Sequence, residues 1–190
     1  MNQLPKERRI QIIQALCEGN SLRSTARMVG VSINTVTKLL IDVGSACLDY
    51  QDTNMQDLSL KHLQCDEVWS FVYAKAKNVP EEHKGELGFG DVWTWTAIDA
   101  ETKLVPCWRV GSRDGDEAYH FMKDLAARLS NRVQLTTDGH KAYLEAVEGA
   151  FGADIDYAML IKLYGQSPAE EQRRYSPPQC IATEVQVVTG

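Results

Sequence analysis

The sequence has few cysteines and no long apolar run, and these absences exclude several classes of protein. The five cysteines are odd in number and widely spaced, without a C-x-x-C pair, so neither a disulfide framework nor a thiolate zinc site is predicted. No apolar run approaches the roughly 20 residues that cross a bilayer, and the N-terminus has no apolar signal core. We therefore expect a cytoplasmic protein without a membrane partner, whose thiols are reduced and mostly small core residues.

Charge is unevenly distributed along the chain. The net charge is −6, with 20 basic against 26 acidic residues, which by itself argues against a nucleic-acid partner. Residues 1–41 nevertheless hold six basic and two acidic side chains, a local charge of +4 that leaves −10 for the remainder. The sequence therefore predicts a small basic module attached to an acidic body.

Helical periodicity marks the beginning of the chain. Residues 6–18 form a predicted helix whose apolar stripe is Ile10, Ile13, Leu16 and Cys17, and which Gly19-Asn20 ends. Ser21 caps a second helix that ends at Gly30, and Ser32 caps a third that runs to residue 44. Residues 1–44 are therefore predicted to form a module of three helices.

The stretch LRSTARMVGVSINTVTKLL (22–40) has the spacing of a helix-turn-helix. Ala26 is small where two helices would cross, and Gly30 stands at the turn, where φ is positive and a side chain is expected to clash. Val36 and Leu39 are expected to fill the wedge between the helices. The alternative is a three-helix packing unit without a ligand. The agreement of small residue, glycine, caps and local charge favours double-stranded DNA as the partner.

The polar residues of this stretch are the candidate DNA contacts. Arg23, Arg27 and Lys38 are expected to contact phosphates. Hydroxyl, amide and ammonium groups on the outer face of the second helix can reach base edges and phosphates in a major groove, and here they belong to Ser32, Asn34, Thr35 and Lys38.

Strand patterns follow a polar segment, 45–62, that we interpret as a helical or irregular linker. Alternating β-branched and aromatic residues predict strands, and helical spacing predicts helices, in the order strand 63–76, strand 89–100, strand 103–112, helix 112–129, strand 132–138, helix 139–152 and strand 154–165. This order predicts a mixed α/β layer fold, followed by a polar, proline-rich tail at 166–190. The tryptophans, expected in the core rather than as base-stacking platforms, are Trp69, Trp93, Trp95 and Trp108.

Two aspartates lie where strands are expected to be buried or to end. Asp66 interrupts an apolar strand, and Asp138 follows the strand VQLTT and precedes Gly139, at the carboxyl end where α/β sheets place their ligands. If the two strands are neighbours, the carboxylates converge and select Mg²⁺ or Mn²⁺. The alternatives are a turn at Asp138-Gly139 and an Asp66 paired with a lysine. Glu67 is expected to point to the opposite face of its strand from Asp66.

Three segments carry a resemblance to a known family. QCDEVWSFVY (64–73), GDVWTWTAIDAETKL (90–104) and RVQLTTDGHKAYLEAV (132–147) are similar to insertion-sequence transposases of the IS-one type, DDE enzymes, and the similarity extends through SPPQCIATEVQVVTG. The resemblance implies an RNase H-like fold with its first two catalytic, metal-binding carboxylates at Asp66 and Asp138. It also makes His140 and Lys141 candidate contacts to the scissile phosphate, although a surface turn is the simpler interpretation.

The resemblance implies more than the sequence contains. A third carboxylate, a glutamate within Val-Glu-Arg-Gln-Asn on a later helix, has no counterpart, and Glu184 lies in a strand-like run that would precede that helix. The expected architecture is therefore α/β, with an N-terminal helix-turn-helix module (1–44), a linker (45–62), an incomplete RNase H-like mixed sheet with helices (63–165) and a truncated tail (166–190).

The function implied is that of a nucleoid-associated transposase of a bacterial mobile element. It would bind terminal inverted repeats and target DNA, at least as a dimer, and would use Mg²⁺ or Mn²⁺ for DNA cleavage and strand transfer. Because the third carboxylate is missing, we expect this chain to be deficient in that chemistry. The alternatives are a non-catalytic DNA-binding product that occupies or represses the element ends, and a nuclease or resolvase-like enzyme on the same fold.

Overall fold

A computed structural model describes residues 4–165 and 179–190 of the chain. Within them the chain divides between Asn54 and Met55 into an N-terminal helical unit and a C-terminal sheet unit. The helices are α1 (Lys6–Cys17), α2 (Leu22–Val29), α3 (Ile33–Asn54), α4 (Gly115–Arg128) and α5 (Ala142–Phe151). The strands are β1 (His62–Val72), β2 (Gly90–Asp99), β3 (Trp108–Gly111), β4 (Gln134–Asp138), β5 (Asp156–Tyr164) and β6 (Cys180–Thr189).

The helical unit is held together by a small apolar core of Ile12, Ala26, Val29 and Val36. Ala26 and Val36 therefore pack as their spacing predicts. The stripe predicted on α1 was wrong in phase, because Ile12 is fully buried whereas Ile10 is 43% exposed. Only one face of α1 meets the other helices, and three isoleucines within four residues, Ile10, Ile12 and Ile13, do not reveal which of them that face carries. A hydrogen bond from the Arg8 guanidinium to the Val29 carbonyl also joins α1 to the end of α2.

Helices α2 and α3 begin after the capping residues that the sequence predicts, and α2 ends at the predicted glycine. The Ser21 hydroxyl accepts a bond from the Ser24 N–H, and the Ser32 hydroxyl accepts one from the Thr35 N–H, both over 3.1 Å. Gly30 has the predicted left-handed conformation, with φ of 68°. The predicted side-chain clash there was wrong, because a Cβ on Gly30 would meet nothing within 4 Å. The glycine is required by the backbone angle alone.

The third helix is longer than its predicted extent. It continues to Asn54, so the first half of the segment predicted as a linker, 45–62, is helical. Its residues beyond Val43 are exposed except for the half-buried Gln51, which explains why their polar composition alone did not distinguish helix from irregular chain. Among the described residues no single helix is long and apolar enough to cross a membrane, and α2 with α3, which pass that test only as a pair, are bent by 113°.

A six-stranded mixed sheet forms the second unit, in the order β3-β2-β1-β4-β5-β6. The three neighbours β3, β2 and β1 pair antiparallel, β1, β4 and β5 pair parallel, and β6 returns antiparallel to β5. This mixed α/β arrangement is compatible with an RNase H-like fold. The sheet continues past residue 165, where the core was predicted to end, because β6 forms its edge. The rest of the predicted tail, 166–178, lies outside the described residues.

Both helices of this unit pack on the sheet, and α4 does so through the apolar face that its helical spacing predicts. The α4 residues Ala118, Phe121, Met122 and Leu125 are fully buried, as their spacing indicates. They join a core that includes Leu63 and Leu135 from β1 and β4. The central strand β4 is buried at alternate residues, which fixes the side of the sheet that Asp138 approaches.

Two predictions about strand residues fail in part. The third strand was expected over 103–112 but pairs only over Trp108–Gly111, since Pro106 has no N–H to donate to a ladder. Of the tryptophans expected in the core, Trp95 is fully buried, whereas Trp69 is 38% and Trp108 44% exposed. Trp69 lies where β1 and β2 continue as a two-stranded hairpin beyond the end of β4, and Trp108 lies on β3, the opposite edge strand from β6.

The five cysteines are free thiols, as predicted, but most are not core residues. Only Cys65 and Cys107 are buried, whereas Cys17, Cys47 and Cys180 are exposed. The exposed three lie at the last residue of α1, on the projecting half of α3 and at the first residue of the edge strand β6. Cysteine tolerates these positions because its side chain is small.

Candidate functional site

The two candidate aspartates meet at the end of two neighbouring parallel strands. β1 and β4 pair in register up to Cys65 and Thr137, so Asp66 and Asp138 each directly follow the last residue through which these two strands pair with each other. This places both at the carboxyl edge of the parallel part of the sheet, where open α/β sheets bind their ligands. The sequence argument required the two strands to be neighbours, and they are.

Backbone donors orient both carboxylates. Asp66 Oδ1 accepts a bond from the Glu67 N–H over 2.8 Å, at a point where β1 has run past the end of β4. Asp138 Oδ1 accepts a bond from the His140 N–H over 2.9 Å, in the turn that leads into α5. Each aspartate therefore keeps its other carboxylate oxygen available to a ligand or to a neighbouring cation.

Glu67 joins the two aspartates, although the sequence placed it on the opposite face of the strand. It does occupy that face, since β1 alternates between exposed and buried residues and Glu67 is among the buried ones. Because β1 is here beyond the end of β4, its side chain still reaches the strand end: one carboxylate oxygen each of Asp66, Glu67 and Asp138 lies within 4.8 Å of the others. No other group of three such side chains was found among the described residues that could hold a metal ion.

Arg113, from the segment between β3 and α4, reaches into this group of carboxylates. Its Nε and Nη2 atoms lie 3.1 Å and 3.0 Å from Glu67 Oε2, and Nη2 is 3.5 Å from Asp138 Oδ2. The guanidinium stacks on the Trp93 ring, 4.7 Å from its centroid. Sequence reasoning missed both Glu67 and Arg113, since no local pattern relates residues 46 positions apart.

Buried hydroxyl and thiol groups lie behind the carboxylates and stay neutral. Burial raises the pKa of the Tyr143 phenol, and the neighbouring Cys65, Glu67 and Asp138 side chains raise it further. Burial likewise raises the pKa of the Cys65 thiol. The Tyr143 hydroxyl is close enough to Glu67 to be affected by it, yet no hydrogen bond with acceptable geometry joins them. The Tyr143 and Cys65 side chains therefore add no negative charge to the site.

An open cleft of about 580 Å³ gives access to the aspartates. Its lining includes Asp66 and Asp138 together with three cationic side chains, which are Arg113, Lys141 and Lys162. Lys141 directly precedes α5, whose free N–H groups add positive potential at the same place. Lys162, on β5, was not anticipated from the sequence. Carboxylates surrounded by cations suit a ligand that carries both a metal ion and phosphate oxygens.

His140 lines the cleft but turns its ring towards the core. The ring centroid lies 6.0 Å from those of Trp95 and Tyr143, and Nε2 is buried without a hydrogen-bond partner among the described residues. Its backbone N–H, rather than its ring, contacts Asp138. The prediction that His140 and Lys141 contact a phosphate remains a prediction.

Glu184 lies on the edge strand β6, opposite Ile161 of β5, and is not one of the clustered carboxylates. The sequence argument rejected it as a third ligand because its surroundings resemble a strand, and the strand is present.

The candidate DNA contacts of the helical unit fall into two groups, those without a described side-chain hydrogen bond and those that form one. Arg23, Arg27 and Asn34 are exposed without a described side-chain hydrogen bond, so nothing in their own unit occupies them. Lys38 is exposed and forms an ion pair with Asp42 over 2.8 Å. The Ser32 hydroxyl caps α3 and bonds to the Thr35 hydroxyl over 2.8 Å, which leaves both hydroxyls less able to read a base.

The donor set fits a hard divalent cation. Three carboxylates supply oxygen ligands only, which is the chemistry that Mg²⁺ and Mn²⁺ prefer over thiolate or imidazole. Glu67 Oε1 is a buried carboxylate oxygen without a hydrogen-bond partner among the described residues, while Arg113 at Oε2 balances the charge of this carboxylate. The residues present therefore suit the metal that the sequence predicts, without identifying it.

Comparison with known proteins adds little to this geometry. No protein-family model and no curated protein sequence matches the chain. Among solved structures, the chain is similar to one in a crystal structure of a pre-cleavage Mos1 transpososome, with a TM-score of 0.30 and 10% sequence identity. The match covers 83% of this chain, which spans 60% of the length of that chain. A similarity at this level carries no argument about fold or function.

Proposed function

We propose that this chain acts on double-stranded DNA as a transposase, with metal-dependent phosphodiester chemistry in the sheet unit and DNA recognition in the helical unit. The observation that carries the proposal is the convergence of Asp66 and Asp138 at the ends of adjacent parallel strands, in a cleft that also presents Lys141 and Lys162. The sequence resemblance to insertion-sequence transposases supports the same assignment. The proposal includes binding to the terminal repeats of a mobile element. It also includes at least a dimer of the chain when two element ends are brought together.

In this proposal the side chains of the cleft have separate roles. Asp66 and Asp138 would hold the divalent ions, which would supply activation of a nucleophilic hydroxyl and stabilisation of the leaving oxygen. Lys141 and Lys162 attract and position the negatively charged DNA backbone. The Glu67 N–H and His140 N–H keep the two aspartates oriented before any ligand binds, so little rearrangement is needed on binding.

The helical unit supports the DNA-binding part of the proposal. α2 and α3 are joined by only Gly30, Val31 and Ser32 and are bent by 113° relative to each other, within the range of helix-turn-helix motifs. In such motifs the N-terminal residues of the second helix enter the major groove. Here that position presents Asn34, with Arg23 and Arg27 exposed on α2 for phosphate contacts.

One experiment with two measurements tests the proposal. Purified protein is incubated with a supercoiled plasmid and with a labelled linear duplex, with Mg²⁺ or Mn²⁺ present or absent, and both retention of the duplex and nicking of the plasmid are scored. We expect duplex binding that weakens steeply with salt. Nicking should be weak, since the sequence leads us to expect a deficient enzyme, and any nicking should require the metal and be lost in Asp66→Asn and Asp138→Asn. Replacing both Arg23 and Arg27 by alanine should weaken duplex binding by about tenfold or more at moderate salt.

Matched variants distinguish the proposal from its alternatives. Asp116→Asn, an 84% exposed carboxylate on α4, is the control for nicking, and the pair Lys6→Ala with Arg9→Ala on α1 is the control of equal charge for binding. Duplex binding without nicking at any metal concentration would favour the non-catalytic DNA-binding alternative. Nicking without joined products would favour a nuclease. Nicking that survives both aspartate substitutions would overturn the assignment of the site.

A further inference from the structure

We propose that the exposed second half of α3 carries a surface through which two copies of this chain associate. The surface consists of Gly44 and its four neighbours on the helix, which are Leu40, Ile41, Cys47 and Leu48, and we call it the Gly44 patch. The inference deepens the proposed function by assigning its dimer to a surface, and it rests on that function for the need of a dimer.

Helical spacing brings the residues of the patch together. Residues three and four positions apart are neighbours on the surface of a helix. All four such neighbours of Gly44 are apolar residues or cysteine, with Leu40 and Ile41 before it and Cys47 and Leu48 after it. Because glycine has no side chain, the four surround a flat area that contains no charged side chain.

The described part of the chain leaves the patch uncovered. Leu40 is 43%, Leu48 44% and Ile41 62% exposed, and none of them belongs to either apolar core. Cys47 is exposed as well, and a Cβ on Gly44 would meet nothing within 4 Å. Single exposed apolar residues are ordinary on a protein surface, whereas a contiguous group of them marks an interaction site.

The helical state of this segment is the second observation. Residues 44–54 are helical, although among them only Gln51 is even half-buried. They include a glycine, a serine, a threonine, an asparagine and two aspartates, all of which are weak helix formers. Helices in proteins owe most of their stability to the packing of an apolar face. A second helix on the Gly44 patch supplies that packing.

The charges of this half of α3 select the partner. Residues 39–54 contain three aspartates, Asp42, Asp49 and Asp52, and no lysine or arginine. This acidic charge disfavours nucleic acid as the occupant of the patch. None of the three aspartates is three or four residues from Gly44, so all of them lie outside the patch. A second, identical helix can therefore pack on the patch without bringing like charges into the contact.

Contact between two copies of one patch is symmetric, with the same residues on both sides. Cys47, next to the centre of the patch, then lies near its counterpart in the second copy. Stable interfaces use roughly 20–30 residues on each side, many more than this patch contributes. We therefore expect a dimer that dissociates on dilution, and DNA ends that hold two copies close together would favour it.

Analytical ultracentrifugation of the full chain over a range of concentrations, without DNA or metal, tests the proposal. We expect a reversible dimer, and Leu40→Glu with Leu48→Glu should raise its dissociation constant by about tenfold or more, because the contact would bury unpaired charges. The control is Ile10→Glu with Met28→Glu, which adds the same charge at apolar side chains that are 43% and 58% exposed on α1 and α2. It should leave the dissociation constant unchanged, and circular dichroism shows whether both double variants are folded.

Cross-linking at Cys47 is a second measurement, and it leaves the patch intact. Replacing Cys17 and Cys180 by serine leaves Cys47 as the one exposed cysteine of the five. A short bismaleimide should then join two copies at concentrations at which the dimer forms. A matched chain keeps Cys17 and carries Cys47→Ala and Cys180→Ser, and it should give little cross-linked product because Cys17 lies on α1, outside the patch.

Two results would overturn the inference. A chain that is monomeric at every concentration is one, and protection of Cys47 from the maleimide would then show that the same chain covers the patch. Equal dissociation constants for the patch variant and its control are the other, since they place the interface elsewhere.

The same measurements separate this inference from the proposed function. If the chain is monomeric but binds the duplex and nicks the plasmid as proposed, only the present inference fails. If it dimerises through the patch but neither binds nor nicks DNA, the proposed function fails and the self-association remains.

Discussion

Thr25, on α2, carries a hydroxyl group that is buried without a hydrogen bond among the described residues. Its side chain is fully buried and Oγ1 has no hydrogen-bond partner among the described residues. A buried hydroxyl in that state lowers stability because it has lost its bonds to water and gained none. Thr37, on α3 in the same unit, differs in that its hydroxyl donates to the Ile33 carbonyl over 3.0 Å.

Substitution of these two threonines gives a prediction at the scale of the residue. Thr25→Val, which keeps the shape of the side chain, should leave the free energy of unfolding unchanged or raise it by about 1 kcal/mol. Thr37→Val should leave it unchanged or lower it slightly, since valine and threonine have similar helix propensities. Denaturant unfolding followed by circular dichroism measures both, and a Thr25→Val variant less stable than Thr37→Val would contradict the burial argument.

At the scale of the element, the turn between α2 and α3 depends on one backbone angle. Gly30 has φ of 68°, and a Cβ there would have open space around it. An alanine at this position therefore meets no steric neighbour and is disfavoured only by the left-handed conformation. Gly44 lies inside α3, has no left-handed φ and is equally open.

Alanine substitution of these two glycines should have opposite effects. Gly30→Ala should lower the free energy of unfolding by about 1 kcal/mol, and Gly44→Ala should raise it by roughly 0.5–1 kcal/mol because alanine loses less conformational freedom in a helix. The same denaturant experiment measures both variants. Two changes of the same sign would show that local crowding, and not the angle, determines the effect at Gly30. Duplex binding by Gly30→Ala would further show whether the turn positions the candidate DNA contacts.

At the scale of the whole molecule, acid stability depends on carboxylates in two parts of the sheet unit. A hydrogen bond from the Thr102 N–H, with one from its hydroxyl, lowers the pKa of Asp99 in the turn after β2. The Ser112 hydroxyl and then the Glu117 N–H lower the pKa of Asp114, the N-cap of α4. These groups are ionised more readily in the folded protein than in the unfolded chain.

The sign of the pH dependence follows from these directions. A carboxylate whose pKa is lowered on folding contributes its full stability above its unfolded pKa, about 3.9, and that stability is lost as the pH falls through the folded value. We expect a constant melting temperature of the sheet unit down to about pH 5 and a decrease below about pH 4, with a shallower decrease in Asp99→Asn. Melting curves across this range measure it, and an unchanged acid slope in Asp99→Asn would contradict the role of Asp99.

The sequence by itself determined the features that depend on near neighbours. The Ser21 and Ser32 caps, the left-handed Gly30, the buried face of α4 and the placement of Asp138 at a strand end were all predicted correctly, because each follows from residues a few positions apart. The alternation of β1 also placed Glu67 correctly on the buried face.

Only the tertiary structure decided which distant residues meet. It brought Asp66 beside Asp138 through the pairing of β1 with β4, added β6 to the sheet and placed Arg113 against Glu67. Strand order and the point at which β4 stops relative to β1 are set by packing of the whole sheet, and no local pattern encodes them. For that reason the approach of Arg113 and Glu67 to the two aspartates was not predicted from the sequence, although Glu67 directly follows Asp66.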